Sequence, residues 1–327
     1  MRAAIRDRYG PPEVVHLREL PDPEPGPGDV LVRVTAASVN RADLDGLYPR
    51  WAILRLVYGI RRPRSPMVGL DAAGVVERVG DGVTRFRPGD RVFADLYAFG
   101  QDAFAERVAA PERAWLPIPD GMDDETASTL PHSAVLAVQG LRLRDGTTPG
   151  PGDHVLIDGA SGNVGPFAIQ VAKALGTEVT GTCSRSKMDF VRELGADHVI
   201  DYAAEDYTRG GRRYDWILDV DSHHPILDCR RALRRGGVYL TLGGSMRRIA
   251  AAVLVGPVVS LATGRRLGLV LWWKPFHARD VEMIVRLHAE GRLAPAIDSR
   301  FRLDQTAEAL RRVDDGLARG KVLVLPG

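Results

Sequence analysis

The residues best suited to chemistry form a short stretch near the middle of the chain. His154-Val155-Leu156-Ile157-Asp158 reads as a buried strand and Gly159-Ala160-Ser161-Gly162-Asn163-Val164-Gly165 as a glycine-rich turn. A helix follows, with Val164, Phe167, Ala168, Val171 and Leu175 on one face. Glycine lets such a turn bend tightly and lets backbone approach a pyrophosphate, while the helix N-terminus presents unpaired N–H groups and partial positive charge to it. Pro166 suits the first helical turn, where its missing N–H costs little. In a chain with 35 glycines a glycine turn alone is weak, and its place between strand and helix gives it weight. Ala160, Ser161, Gly162, Asn163, Val164 and Gly165 are therefore the candidate contacts to a dinucleotide.

About 20 residues after the glycines, an NAD-binding unit carries an Asp or Glu for the ribose hydroxyls. Here the next strand ends Gly181-Thr182-Cys183-Ser184-Arg185-Ser186-Lys187, with no carboxylate. Thr182 and Ser184 offer hydroxyls, and Arg185 and Lys187 two cations, where a 2′-phosphate would sit. NADPH is favoured over NADH. The plainer reading makes Arg185 and Lys187 solvated charges at a helix start, partly offset by Asp189.

Around this turn, short apolar strands alternate with helical runs, the pattern of a parallel sheet with crossover helices. The strands expected are His154–Asp158, Glu178–Thr182, His198–Asp201, Asp215–Asp219, Val238–Leu242 and Leu267–Trp272, enough for a doubly wound sheet. Before residue 119 the chain instead has short β-rich runs such as Val30–Val34 and Ala73–Val79. Turn clusters such as Pro21–Asp29 and Arg87–Asp90 separate them, as in an antiparallel, barrel-like domain. After Lys274 come an amphipathic helix near Asp280–Glu290, another near Gln305–Leu317 and a strand, Val322–Leu325. That last strand needs a partner, and the first domain can supply one. The fold class is α/β, with a nucleotide domain at 120–273 and a β domain made of 1–119 and 274–327.

Composition narrows the function. Lys and Arg number 44 against 42 Asp and Glu, and a net charge of +2 is too small to mark a nucleic-acid surface. The two cysteines, Cys183 and Cys229, cannot build a disulfide framework or a cysteine-rich zinc site, which fits a reducing cytoplasm. Arg2, Arg6, Asp7 and Arg8 interrupt the N-terminus before any signal-like apolar run. Ile249–Gly264 is apolar but short, contains Gly256-Pro257 and ends at Arg265-Arg266, so a buried or subunit-facing helix is expected rather than a membrane span.

Several separated motifs carry a resemblance: Tyr9-Gly10-Pro11-Pro12-Glu13-Val14, Ala37–Asp43, Val68–Val76, Pro88–Phe93, Gly195–Tyr202 and Gly320-Lys321-Val322. With them the chain resembles the medium-chain dehydrogenase/reductase superfamily along nearly its whole length, and within it the zinc-independent quinone oxidoreductase branch. The resemblance implies a GroES-like β-barrel catalytic domain split around a Rossmann domain, with a small-molecule substrate reduced in the cleft by hydride from the nicotinamide. It places Asn40 and Asp43 near the nicotinamide and Tyr48 on the substrate side. It also places Lys187 and Tyr202 at the adenosine phosphate and Leu242, Gly243 and Gly244 along the cofactor. Each of the first three has a plainer role: Asn40 as a helix cap, Asp43 in a structural pair, Tyr48 packed on Trp51.

Zinc-dependent relatives carry a Gly-His-Glu run and a cysteine; this chain has Gly69-Leu70-Asp71 and Ser38-Val39-Asn40, so no metal is expected. His223 and His224 read as a loop or cap. Hydride acceptors reducible without a metal are quinones and the β-carbon of enones, with Tyr48 or a water to deliver the proton. Leu136 stands where relatives often place a threonine on the nicotinamide. Trp51–Tyr58 and the 249–264 insert could line the substrate pocket; a subunit contact is preferred for the insert, with Leu267–Trp272 as the edge joining two sheets in a homodimer. The competing functions are an enoyl-thioester reductase, a catalytically silent NADPH-binding protein and, with another cofactor, a methyltransferase.

Overall fold

Val30, Leu31, Val32 and Val34 are buried and Arg33 is the one exposed residue of the strand Asp29–Val39, which is fully buried from Ala36 and becomes the spine of the first unit. The computed structural model describes every residue except 50–54 and 57–58. It divides the chain into two units, 1–133 with 275–277 and 295–327, and 134–274 with 278–294.

In chain order the strands are β1 Arg2–Ile5, β2 His16–Glu19, β3 Asp29–Val39, β4 Asp71–Val79, β5 Arg91–Asp95, β6 Arg107–Pro111 and β7 Leu116–Pro117. They continue with β8 His154–Asp158, β9 Glu178–Cys183, β10 His198–Asp201, β11 Tyr214–Asp219, β12 Leu233–Thr241, β13 Arg266–Leu269, β14 Ile297–Arg302 and β15 Lys321–Leu325. In the first unit the sheet runs β14-β15-β3-β4-β5-β7, with β6 also on β3. The C-terminal strand thus returns to the first unit, lying antiparallel against Ala37–Val39. In the second unit six parallel strands run β10-β9-β8-β11-β12-β13, and the order reverses between β8 and β11. Ligands of such sheets bind outside the carboxyl ends of the strands at this reversal.

The unit boundaries differ from those expected at 119/120 and 273/274. Residues 120–133 stay with the first unit because Asp123 caps the helix Asp124–Thr129 and Asp124 accepts from Thr35 Oγ1 (2.7 Å) and Arg91 Nε (2.9 Å). The helix Ala278–Ala289 belongs to the second unit, anchored by Asp280, which accepts from Gln139 Nε2 at 2.7 Å and pairs with Arg142 at 2.6 Å. The sixth strand stops at Leu269, short of Trp272, because the Leu271 N–H folds back onto the Leu269 carbonyl at 2.8 Å. The insert forms two helices, Met246–Leu254 and Gly256–Thr263, bent by 43°. Only Ala252 and Gly256 of these helices are buried, so of the two expectations for the insert, a buried or a subunit-facing helix, the first does not hold. Among the described residues no single helix is long and apolar enough to cross a membrane; this bent pair passes that test by length and composition only. Most of the Trp51–Tyr58 patch lies outside the described residues.

Asp280 is 1% exposed and joins Gln139 to Arg142, while the Gln139 amide also donates to the Lys274 carbonyl at 3.0 Å. Asp280→Ala should destabilise the protein by about 1–3 kcal/mol, seen as a lowered denaturant midpoint, because it removes one of the two acceptors of a buried amide and the carboxylate partner of Arg142.

Candidate cofactor and active site

The glycine turn follows β8 directly, and its glycines are there for identifiable reasons. Gly159 has φ +86°, a conformation side chains disfavour. A Cβ on Gly165 would lie 2.4 Å from the Gly159 carbonyl oxygen and 2.5 Å from Ala160 backbone, so only glycine lets the helix Gly165–Ala174 start this close to the turn. Val164, Phe167, Ala168 and Val171 are buried as expected; Leu175 is only half-buried. Ala160, Ser161 and Val164 are buried too, so they can meet a phosphate mainly through backbone N–H groups at the helix start. The cradle fits a pyrophosphate.

Strand register sets the rest of this end of the sheet. Thr182, Asp158, Asp219 and Thr241 are level with one another across β9, β8, β11 and β12. Beyond β9 lie Ser184, the exposed Arg185 and the half-buried Lys187; beyond β10 lies Tyr202, 61% exposed; beyond β12 lie Leu242, Gly243 and Gly244. The structure therefore brings all the expected cofactor residues of this unit to one edge. Two readings change. Thr182 is buried, and its hydroxyl donates to Asp158 and accepts from the Gly159 N–H at 3.2 Å, so it buttresses the turn and is not available to a ribose. Arg185 pairs through Nε with Asp201 at 3.2 Å while 83% of its side chain stays exposed.

Asp158 and Asp219 were not singled out in the sequence, because strand-end carboxylates look alike until register pairs them. At the reversal point Asp219 is buried and Asp158 half-buried. Burial first, and then the charge of Asp158, push Asp219 up to about 8; burial raises Asp158 as well. The Tyr239 hydroxyl donates to Asp219 at 2.7 Å and sits 3.2 Å from Ser222 Oγ.

The first unit holds a second buried polar group, centred on Asn40. Asn40 Oδ1 accepts from Lys321 Nζ (2.7 Å) and Ser133 Oγ (2.9 Å), and Asn40 Nδ2 donates to Asp71 (2.9 Å) and to the Ser38 carbonyl (3.4 Å). These four bonds use the full capacity of the amide, so Asn40 organises the cluster and has nothing left for a substrate oxygen. Lys321 lies 3.6 Å from Asp71; burial pulls the lysine down, and burial pushes Asp71 up to about 6 against the pull of that lysine. Beside it His132 Nδ1 lies 2.9 Å from Asp95, the register partner of Asp71. Burial alone would lower His132, but the Asp95 carboxylate outweighs it and raises its pKa. Sequence reasoning missed Lys321, Ser133, Asp95 and His132, which only the fold gathers.

Asn40 is also the N-cap of the helix Arg41–Leu47, and its backbone N–H donates to Asp43 at 2.7 Å. Asp43 is buried, which pushes it up to about 7, and its Oδ1 has no hydrogen-bond partner among the described residues. Tyr48 closes the same helix, half-buried against the core of the first unit. The helix thus joins Asn40 to Asp43 and leaves Tyr48 at its far end. Leu136 is half-buried in the helix Ser133–Gly140. His223 and His224 diverge, toward Asp221 (3.8 Å) and Asp206 (3.7 Å). Among the described residues no group of three His, Cys, Asp or Glu could hold a metal ion.

Residues 26–120 match the alcohol dehydrogenase GroES-like domain family, and 194–324 the zinc-binding dehydrogenase family. The chloroplastic quinone-oxidoreductase QR1 of Triphysaria versicolor is 33% identical over 340 residues, covering 100% of this chain and 98% of that protein. The mitochondrial NAD(P)H oxidoreductase RTN4IP1 of Mus musculus is 31% identical, covering 99% and 89%. Among solved structures, the quinone oxidoreductase from Coxiella burnetii superposes with a TM-score of 0.87 at 26% identity, over 100% and 99% of the two chains.

The raised carboxylates make stability depend on pH. Asp219 binds a proton in the folded protein up to about pH 8 but loses it near 4 when unfolded. Its contribution is present in full below pH 4 and is lost as pH rises to about 8. Asp219→Asn should therefore reduce the fall in melting temperature between pH 5 and pH 8; an unchanged slope would show that Asp219 is already ionised in the native state.

Proposed function

From a chain that belongs to the quinone oxidoreductase-like branch of the medium-chain dehydrogenase/reductase superfamily, and is an oxidoreductase of a nicotinamide-binding family, we propose a narrower reaction: NADPH-dependent reduction of a quinone or of the activated C=C of an enone. The observation that carries the cofactor choice is the end of β9, where Ser184, Arg185, Ser186 and Lys187 follow the strand with no carboxylate among them. A ribose 2′-hydroxyl would find no acceptor among these side chains except hydroxyls, whereas a 2′-phosphate meets two cations. Asp201 already pairs with Arg185, so phosphate must share or displace that carboxylate.

The bound cofactor supplies the hydride. The residues of the second unit hold it: the 160–165 turn takes the pyrophosphate on backbone N–H groups, and Gly243 and Gly244 let the chain after β12 pass without side chains. In the first unit Asp43 is the group suited to hold the balancing proton, since burial brings it near neutrality. Reduction of the acceptor then takes one hydride, a proton with two electrons, at its carbon or oxygen and one further proton at the acceptor oxygen or the carbon beside the carbonyl. The absence of a Gly-His-Glu run supports charge stabilisation by hydrogen bonds instead of zinc. An enoyl-thioester reductase shares all of this and differs in requiring a coenzyme A or carrier-bound acceptor.

Fluorescence titration with NADPH and NADH, followed by NADPH consumption with a quinone, a simple enone and an enoyl thioester, tests the proposal. Lys187→Ala should weaken NADPH binding roughly tenfold or more, the worth of one charge-assisted hydrogen bond, and leave NADH unchanged. Turnover with quinone or enone should survive a chelator. Equal loss for both cofactors would remove the 2′-phosphate assignment, and turnover confined to the thioester would favour the other substrate class.

A further inference from the structure

Charge is distributed very unevenly along this chain. Between Asp228 and Asp280 there is no Asp or Glu, yet those 51 residues carry ten Lys and Arg: Arg230, Arg231, Arg234, Arg235, Arg247, Arg248, Arg265, Arg266, Lys274 and Arg279. The whole protein carries only +2, so this segment is a strong local excess. At its centre lie the two helices of the insert. Their inner side is fixed to β13: a Cβ on Gly256 would lie 2.6 Å from the Leu267 carbonyl oxygen, and Ser260 Oγ accepts from the Leu267 N–H at 2.9 Å. Their outer side is apolar. Leu254, Val258 and Leu261 are spaced four and three residues apart, so they form one stripe across the bend, and they are 72%, 66% and 90% exposed. Val253 and Val255 are exposed beside them.

We propose that this face is a docking surface for an anionic lipid bilayer, with the leucine and valine stripe entering the headgroup boundary and the arginines at both ends meeting lipid phosphates. The arrangement is that of an interfacial amphipathic segment: an apolar face, cations around it and no acid within the segment itself. Arg247 and Arg248 begin the first helix, while Arg265 and Arg266 follow the second. Arg235 joins the second pair, because the Gly236 N–H donates to the carbonyl of Gly264, at the end of that helix. Some of the charge is answered within the chain, where Arg231 pairs with Asp228, Arg234 with Asp215 and Arg266 with Asp145; Arg247, Arg248 and Arg235 remain around the stripe with no carboxylate in their own segment. The helices lie along the surface and do not cross it, since spanning would require breaking the Ser260 and Gly256 contacts with β13.

A second copy of the chain is the competing occupant, and two observations weigh against it. Pairing this face with itself would set one acid-free cationic segment against another. The edge of β13 is also partly capped already, with the Leu267 N–H taken by Ser260 and the Leu269 carbonyl by Leu271, which leaves fewer backbone groups for a second sheet. The proposal does not depend on the reaction assigned above, because its readout is binding.

The test is flotation of the full-length protein with vesicles of phosphatidylcholine alone or mixed with an equal part of phosphatidylglycerol. Binding should require the anionic lipid, fall at least tenfold in high salt, and fall by a further factor of about five for each arginine removed in Arg247→Gln and Arg248→Gln. Leu254→Glu with Leu261→Glu should lower it at least tenfold, while melting temperature and NADPH fluorescence titration stay unchanged because both side chains are exposed. Should the leucine pair perturb folding, the arginine variants and the salt dependence still decide. Absence of vesicle binding, equal binding to neutral vesicles, or leucine variants that only dissociate a dimer would each overturn the proposal.

Discussion

A lysine ammonium cannot stay in a protein interior without partners, and Lys321 is fully buried. It stands at the start of the last strand, and its three contacts reach Asn40 at the first residue after β3, Ser133 at the boundary between the units, and Asp71 at the start of β4. This one group therefore requires that the C-terminal strand come back beside β3, that Asn40 turn inward, and that Asp71 be a carboxylate. The helix that presents Asp43 then begins where Asn40 is held. The discontinuity of the first unit, assembled from both ends of the chain, follows from this burial as much as from the need of a lone strand for a partner.

The second unit answers the same problem with carboxylates. Asp158 and Asp219 lie level at the reversal of the sheet, and loss of solvation raises both, with the Asp158 charge adding to the shift of Asp219. Thr182 and Tyr239 supply the hydrogen bonds. The glycine turn therefore rests on a polar floor. Burial and the neighbouring Asp158 charge oppose ionisation of Asp219, which limits negative charge beneath the proposed pyrophosphate site.

Much of this was legible in the sequence. Periodicity and glycine placement gave all six parallel strands, and the order of strand, turn and helix located the phosphate cradle, because those signals are local. The unit boundaries were less legible: what anchors residues 120–133 and the helix Ala278–Ala289 is a pair of side-chain contacts each, Asp124 with Thr35 and Arg91 and Asp280 with Gln139 and Arg142, between residues distant in sequence. For the same reason Asn40 looked like a ligand-facing residue although its amide is saturated, and Thr182 looked available although its hydroxyl faces inward. Hydrophobicity left the insert either buried or subunit-facing; exposure shows that its apolar stripe points outward.

In the proposed reaction hydride passes from NADPH directly to an activated carbon–carbon double bond or a quinone. Incubation with an enone and NADPH carrying deuterium at both C4 positions of the nicotinamide, followed by NMR of the product, tests it most directly. The account predicts deuterium on the β-carbon and solvent hydrogen on the carbon beside the carbonyl. Consumption of the cofactor with no deuterium at the β-carbon, or no product across quinones and enones alike, would contradict it.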